Sequence, residues 1–525
     1  MTATVPQLLG LLVASGAAAV ALQARDPRVR YGAAAIALTA APALVAGDVW
    51  HSTRFVDLRD HPAKLAAAIA AALLAVGVGA AVFRRIAWTF PAAVFAALPL
   101  RVPVHLGGQT SHLLIPLYVV IAAGLVCMAY TALLSERNRR VDGHPPADAS
   151  TRSLADWPAA LWLYRALAAT VVLYAIQTAY SADVSNAIVN ACFFLVPFAV
   201  MLVLLGQVRW TQATLKAVLI TIAAVGIGFA AVGIAEYAAR DLIFSRGNLL
   251  QSNQIHLYFR VNSLFYDPNV YGRYLALILV ALGAYLAWSR GTWPEIAAAI
   301  ASGILLVGLA LSYSITSFVA LIAGLLVVLA LRWSLRWALA GGAAMVICGG
   351  VFLLASGTGR TDFSSTESFN QFGSGRVDLV RGGIRLARDR PVWGWGSGSF
   401  GAAFSRHIQR AKTTVSHSEP ITVAAEQGIL GLALYLALVV LALVVLFRGA
   451  SASAATAATA ACFVAVVVHS LGYTGFTSDP ATWALIGVGV ALRRGRQVTT
   501  AAPSPDAVGG PGRQRSLRDP RPAAV

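Results

Sequence analysis

Charged side chains are scarce in this sequence: of its 525 residues 12% are Asp, Glu, Lys or Arg, whereas 58% are hydrophobic and the mean hydropathy is +0.71. A soluble protein carries about 25% charged residues. Because a water-facing surface needs polar groups to cover it, this deficit excludes a soluble fold. Lipid is the solvent that suits such a chain, and one membrane domain explains it better than several soluble domains.

Cysteine is also rare, and no spacing among the four predicts a disulfide or a metal site. Cys127, Cys192, Cys348 and Cys462 each lie inside an apolar run, so we interpret them as small packing residues. The first run, 6–22, lacks a preceding basic segment and a convincing cleavage site, which favours a membrane helix over a signal peptide.

Apolar runs follow one another along most of the chain. An unpaired backbone amide costs several kcal/mol in lipid, so the runs are predicted to be helices. The runs 86–100 and 480–492 are shorter than the ~20 residues of a usual spanning helix, so each is tilted, re-entrant or misbounded. We predict an all-α polytopic membrane protein with about 12–15 transmembrane helices. The runs are 6–22, 31–50, 65–83, 86–100, 113–134, 158–180, 184–206, 214–236, 270–288, 293–311, 315–331, 336–356, 421–447, 453–472 and 480–492.

The formal charge of +18 comes almost entirely from arginine. Arginine follows every odd-numbered run, which predicts that those loops are cytoplasmic and that the N-terminus is outside. Residues 1–492 form the predicted membrane domain, and 493–525, rich in Pro, Gly and Arg, a disordered basic cytoplasmic tail. The basic loops fit anionic lipid headgroups, so membrane lipids are predicted partners and nucleic acid is not.

The longest segment between runs, 357–420, is predicted to be extracytoplasmic and holds nine Arg or Lys against five Asp or Glu. Within it, 376–390 has the pattern of an amphipathic helix, weakened by Gly382 and Gly383. Its arginines are either a solvated face that snorkels or a guanidinium cluster suited to a phosphate or diphosphate. Val377, Val380, Ile384 and Ala387 form the predicted apolar face, and Arg381, Arg385 and Arg388 the basic one.

A glycine-rich turn, PVWGWGSGSF at 391–400, follows this helix, and His417 precedes the next membrane run. The turn alone is a weak signal, because it has no Walker lysine pattern. A neutral imidazole at the membrane surface accepts a proton near pH 7, but a loop histidine often has no role. A zinc site from His407, His417 and Glu419 is a further alternative, without the spacing typical of metal sites.

Several other polar or aromatic residues leave alternatives open. Glu426 either lines a cavity or caps the outer end of its helix. His469 and Asp479 belong either to an outer cavity or to the membrane interface, and the sequence does not choose. Trp393 and Trp395 either stack on sugars or anchor the interface.

Taken in order, these features resemble a known family. An arginine-led amphipathic helix, a W-G-W-G-S-G turn, His417 and E-Q-G-I-L-G at 426–431 are similar to the O-antigen ligase and O-antigen polymerase family of bacterial envelope glycan enzymes. Upstream, FRVNSLFYDPNVYGRYL at 259–275 looks like the family's arginine and Pro-Asn segment. The resemblance covers mainly residues 255–445.

The resemblance implies an inner-membrane glycosyltransferase without a cofactor or metal. It would move a glycan from an undecaprenyl-diphosphate carrier to a glycan or lipid acceptor on the outer face, with inversion. By similarity, His417 would activate the acceptor hydroxyl, and Arg376 and Arg260 would hold the diphosphate. The family's Ser-Arg at the head of an apolar run is here 313–316, Tyr-Ser-Ile-Thr, so Arg273 or Arg381 would replace that arginine.

Two rival functions follow from the same features. A transporter or flippase of lipid-linked glycans would explain the helices and the basic outer surface, but the paired interrupted helices typical of transporters are not evident. A scaffold for envelope assembly would need no base at all. The family's His-Asn is here His417-Ser418, which leaves the proposed base in place, and nothing in the sequence distinguishes a ligase from a polymerase.

Overall fold

The computed structural model describes residues 4–49, 61–106, 109–141, 157–244, 249–250, 253, 259–291, 293–344, 376–408 and 416–500. Several predictions fall partly or wholly outside these residues: the last residue of the run 31–50, the end of the run 336–356 with Cys348, residues 357–375 and 409–415 of the outer loop, and the tail after Thr500.

The described residues form α-helices almost throughout, with one two-stranded hairpin. A π-helical turn, Ala191–Leu195, joins the helix that ends at Asn190 to the helix that begins at Val196. The elements are α1 (Val5–Gln23), α2 (Pro27–Val49), α3 (Pro62–Arg85), α4 (Thr89–Ala97), β1 (Val102–Leu106), β2 (Gln109–Leu113), α5 (Ile115–Val141), α6 (Pro158–Gln177), α7 (Val184–Asn190), α8 (Val196–Leu205), α9 (Gln212–Ala239), α10 (Pro268–Trp288), α11 (Trp293–Leu311), α12 (Ile315–Arg332), α13 (Arg376–Asp389), α14 (Phe400–His407), α15 (Glu419–Phe447), α16 (Ala454–Gly472) and α17 (Pro480–Thr500).

Twelve segments of the described chain are long and apolar enough to cross a membrane. They are α1, α2, α3, α5, α6, the joined α7 and α8, and then α9 to α12, α15 and α16. A helix satisfies its own backbone hydrogen bonds, which lipid cannot do, so apolar runs of this length fold as helices. The predicted all-α polytopic membrane fold is therefore confirmed.

The two short runs differ from the sequence prediction. Run 86–100 contains only the nine-residue helix α4 and is followed by the antiparallel hairpin of β1 and β2, which we did not predict. Run 480–492 was misbounded, because α17 continues to Thr500. The helix enters the predicted tail there because Arg493 is buried and donates from Nη2 to the carbonyl of Leu446 at 2.5 Å.

Hydrogen bonds between helix ends sort the loops into two ends of the helix bundle. At one end, the Glu419 carboxylate at the start of α15 accepts from the amide of Gly475, between α16 and α17, at 2.8 Å. At the other end, Arg332 of α12 donates from Nε to the carbonyl of Ala287 in α10 at 2.7 Å. We call the first the site end, because the predicted site residues lie there.

Candidate active site

His417 lies in a strained turn immediately before α15. Its φ angle is +61°, in the left-handed region that side chains other than glycine rarely adopt. Such a conformation costs about 1–3 kcal/mol and persists only where its surroundings hold it. Ser416 supplies that support, because its hydroxyl donates to the carbonyl of Ser418 at 2.8 Å and accepts from the Ser418 amide at 3.2 Å. The same hydroxyl lies 2.8 Å from that of Thr422.

The imidazole of His417 is half-buried against Tyr473, with 5.7 Å between the ring centroids. Its Nδ1 atom is buried and has no hydrogen-bond partner among the described residues. Burial, followed by the positive charge of Arg376, lowers the pKa of His417 below its usual 6.5, and the Asp267 carboxylate opposes this shift. The ring is therefore neutral at pH 7 and able to accept a proton.

Arg376 is the first residue of α13, the predicted amphipathic helix. The helix is amphipathic as predicted, but the predicted apolar face is only partly correct: Val377, Val380 and Ala387 are half-buried. Its buried residues are Gly382, Gly383 and Leu386, whereas Ile384 is exposed. The glycines do not merely weaken the helix; they let it approach its neighbours.

Close packing explains why glycine occupies these two positions. A Cβ atom on Gly382 would collide with the Phe404 ring of α14. A Cβ atom on Gly383 would lie 2.6 Å from Cγ2 of Ile421 in α15 and 3.3 Å from Cβ of Ser416. Arg376 is therefore attached to the same packed unit that holds His417.

The glycine-rich turn connects α13 to α15 and to the end of α6. Gly394, Gly396 and Gly398 all have positive φ angles. The Gly396 amide donates to the carbonyl of Glu426 at 2.8 Å. On the other side, the Ser181 hydroxyl donates to the carbonyl of Ser397 at 2.7 Å. The turn is thus a connector of three parts of the site end rather than an open loop.

Glu426 binds the glycine-rich turn rather than the end of its own helix. Its half-buried carboxylate accepts from the amide of Gly398 at 2.9 Å and from that of Phe400, at the start of α14, at 3.0 Å. A carboxylate at a helix N-terminus satisfies free amides and complements the helix dipole. Two residues later, Gly428 leaves helical geometry at φ +64°, and this kink in α15 admits the turn.

Arg260 and Arg381 take different positions at the site end. Arg260 is half-buried, and its Nε donates to the carbonyl of Ser312 at 3.2 Å. Its backbone is paired with the side chain of Asn253 in both directions at 3.0 Å. Arg381 lies on the exposed face of α13.

Arg273 is buried in the first turns of α10 and forms an ion pair with Asp479 at 2.6 Å. Its charge is therefore compensated within the protein, which differs from the predicted direct role for this residue. The ion pair also gives Asp479 a partner inside the protein, a question that the sequence left open between an outer cavity and the membrane interface. It joins α10 to the start of α17.

A buried hydroxyl cluster next to this ion pair was not recognised in the sequence. The Ser314 hydroxyl donates to Oδ1 of Asn269 at 2.9 Å and lies 2.8 Å from that of Ser317. Nε2 of His469, which is fully buried, lies 3.3 Å from the Ser317 hydroxyl. The signal available in the sequence was the group of five hydroxyl-bearing residues at 312–317, at the head of an apolar run, where the family's Ser-Arg was expected.

The residues of the zinc alternative have other partners. His407 packs against Trp395 with 4.4 Å between the ring centroids. Glu419 accepts from Gly475 and from the amide and hydroxyl of Thr477. Within the described ranges, no group of three His, Cys, Asp or Glu side chains is arranged to hold a metal ion.

The two tryptophans of the turn also differ from each other. Trp395 donates from Nε1 to the carbonyl of Leu386 at 3.0 Å, and the guanidinium of Arg390 lies 4.0 Å from its ring centroid. Trp393 is 62% exposed and borders a shallow groove of about 570 Å³ with Tyr180 and Arg390. Of the two rings, Trp393 is the one left open to a ligand.

Residues 300–436 match the sequence model of a family described as O-antigen ligase. The matched segment contains Arg376, the glycine-rich turn, His417 and Glu426, whereas Arg260 and Arg273 precede it. No curated protein matches the chain. The matched segment is less than half of the chain; together with the apolar helices it supports an O-antigen ligase-like, multi-pass protein of the bacterial inner membrane.

Proposed function

We propose that the protein transfers a glycan from a polyprenyl-diphosphate carrier, undecaprenyl diphosphate, to a glycan or lipid acceptor on the outer face of the membrane. The observation that carries this proposal is the neutral imidazole of His417 in a rigid turn packed onto the helix that begins with Arg376. Both residues lie in the segment that matches the O-antigen ligase family.

His417 acts as the general base in this reaction. The acceptor hydroxyl gives its proton to the imidazole while its oxygen attacks the anomeric carbon of the donor sugar. The bond between that carbon and the phosphate oxygen breaks, and its electron pair leaves with the diphosphate. Because the attack is a single displacement, the configuration at the anomeric carbon is inverted.

Arg376 and Arg260 hold the carrier diphosphate. The leaving group gains negative charge as it departs, and fixed guanidinium groups stabilise that charge in the transition state. Arg381, exposed on the same helix as Arg376, extends this positive surface. Arg273 supports the site through its ion pair with Asp479. With arginine in this role the reaction requires no metal ion.

Replacing His417 with alanine tests the proposal. The donor is radiolabelled lipid-linked glycan, extracted from membranes of the source bacterium after deletion of the gene for this protein. The readout is release of the polyprenyl diphosphate together with formation of the glycan product. We expect His417→Ala to lower the rate by 100-fold or more, roughly what a lost general base costs. His407→Ala, a histidine of the same loop that packs against Trp395, is the matched control and should retain activity.

Full activity of His417→Ala would remove the base from the mechanism. If the purified wild-type protein moved the lipid-linked glycan between leaflets of a vesicle without releasing diphosphate, the transporter alternative would replace the transferase.

The proposed orientation places the site end outside, the N-terminus outside and the C-terminal tail in the cytoplasm. It rests on the arginines at the opposite end of the bundle, such as Arg332 and Arg493. In a chain whose native cysteines are replaced, Trp393→Cys should react with a membrane-impermeant maleimide added to spheroplasts, and Ser451→Cys should not. Both positions are exposed and lie at opposite ends of the bundle. The reverse labelling would place the site on the cytoplasmic face and refute the proposal.

A further inference from the structure

Asp267 lies at the start of α10, at the site end, and caps that helix. Its Oδ1 accepts from the amide of Asn269 at 2.7 Å and from Nδ2 of Asn269 at 3.0 Å. Aspartate is a common N-cap, so this contact alone gives Asp267 only a structural role.

Tyr473 connects Asp267 to the proposed base. Its side chain is buried, and its hydroxyl donates to the Asp267 carboxylate. Its ring lies near two imidazoles, with centroids 5.7 Å from that of His417 and 5.8 Å from that of His469. Tyr473 therefore links Asp267 to the ring of His417.

The charged groups around His417 come from several elements. Arg376 of α13 disfavours a protonated ring, and Asp267 of α10 favours it. Glu419, on the same segment as His417, is bound by the amides of Gly475 and Thr477. From α16, His469 contributes a fully buried side chain that lies against Ser317 and Tyr473.

We infer that Asp267 is a positioning residue for His417: through Tyr473 it orients the imidazole, and its negative charge stabilises the imidazolium that forms when the acceptor hydroxyl is deprotonated. The proton stays on the imidazole, and Asp267 remains ionised. This inference rests on the proposed function in that His417 is the base.

A base in this position needs such a partner. Burial and Arg376 keep the ring neutral, which suits the start of the reaction but opposes the proton transfer itself. A fixed carboxylate nearby offsets that opposition without competing for the proton. A diphosphate bound to Arg376 neutralises the guanidinium charge that lowers the pKa of His417. Donor binding therefore makes His417 a stronger base.

The test compares Asp267→Asn with Asp183→Asn in the full-length protein. Asparagine retains an N-cap oxygen, so both variants should fold. Asp183 caps α7 by accepting from the Asn186 amide at 3.2 Å and is not among the groups that shift His417, which makes it a matched control. The rate of carbethoxylation of His417 by diethyl pyrocarbonate, followed by peptide mass against pH, gives the pKa of the ring without any glycan substrate.

In Asp267→Asn we expect the pKa of His417 to fall by about half to one unit, because an attractive charge is removed. The acid limb of the pH profile of kcat/KM should move to lower pH by the same amount, and the plateau of kcat should fall about threefold to tenfold because the base is weaker. Asp183→Asn should change neither quantity.

Tyr473→Phe separates orientation from charge. It keeps the Asp267 carboxylate and removes the hydroxyl that binds it, so we expect kcat to fall while the pKa of His417 is not lowered. An unchanged pKa of His417 in Asp267→Asn would overturn the inference. A lowered pKa together with full activity of His417→Ala would support the electrostatic pairing and refute the proposed function, so the two failures are distinguishable.

Discussion

Replacing Gly383 with alanine should destabilise the protein, although the same change stabilises most helices. In an exposed helix, alanine is favoured over glycine by about 1 kcal/mol. At Gly383, however, the new Cβ would lie 2.6 Å from Cγ2 of Ile421, 3.2 Å from Cε2 of Phe400 and 3.3 Å from Cβ of Ser416. Overpacking of this kind costs about 1–3 kcal/mol. The two effects leave a net destabilisation of roughly 1 kcal/mol.

Activity should suffer more than stability, because Ser416 holds His417 in its left-handed turn. The assay is thermal unfolding in detergent micelles together with glycan transfer at 25 °C. Gly303→Ala in α11 is the control, since a Cβ atom there would meet nothing within 4 Å and should raise the apparent Tm. If Gly383→Ala raised the Tm as Gly303→Ala does, while activity stayed normal, then α13 would not be packed against the histidine turn.

Three further outcomes are expected. Because the pKa of His417 is lowered, its neutral form persists below pH 6.5, and the acid limb of the pH profile of kcat/KM should therefore lie below pH 6.5. A limb above that value would assign the base to another group. Glu426→Gln should lower kcat and the apparent Tm, since an amide offers one acceptor oxygen for the two amide groups now bound. A lost hydrogen bond costs about 0.5–1.5 kcal/mol, and an unaltered Tm would show that the turn is held by other contacts. Arg273→Ala and Asp479→Ala should each lower the free energy of unfolding by about 3–5 kcal/mol, because each leaves a buried charge unpaired. The double variant should lose less than the sum of the two single losses, and additive losses would show that the two residues are not coupled.

The membrane fold was predictable because its main determinant is local. Each spanning helix is recorded in the sequence as an uninterrupted apolar run, and lipid leaves the backbone no alternative to internal hydrogen bonding. The prediction failed at the short runs, where length is the only guide. Arg493 and Arg494 interrupt the last run, yet α17 continues because Arg493 finds a buried carbonyl, that of Leu446.

The buried face of α13 was not predictable from hydrophobicity alone. The periodicity of Val377, Val380 and Ile384 indicated one face, but the helix is turned so that Gly382 and Gly383 face inward. Side-chain size decided the orientation here, because neighbouring helices approach too closely for a Cβ atom. A hydropathy pattern gives glycine almost no weight and therefore misses this kind of face.

The candidate base and the arginine of α13 were recognised from their motifs, whereas the roles of the carboxylates were not. Glu426 binds amides that lie more than twenty residues upstream in the chain, at Gly398 and Phe400. Asp479 pairs with an arginine from a different helix. Such long-range pairs leave no periodic signal, so they become visible only when the helices are assembled.

The carboxylates of the site end explain how a basic surface persists there. Glu419 is bound by Gly475 and Thr477, Glu426 by the glycine-rich turn, and Asp479 by Arg273. Each of these carboxyl groups is satisfied by backbone amides or by an ion pair, and each contact fixes one segment of the site end to another. The acidic residues thus join the segments of the site end to one another. The arginines of α13 determine the positive electrostatic potential to which a diphosphate binds. Removing one of these carboxylates should therefore loosen the site before it changes the sign of its charge.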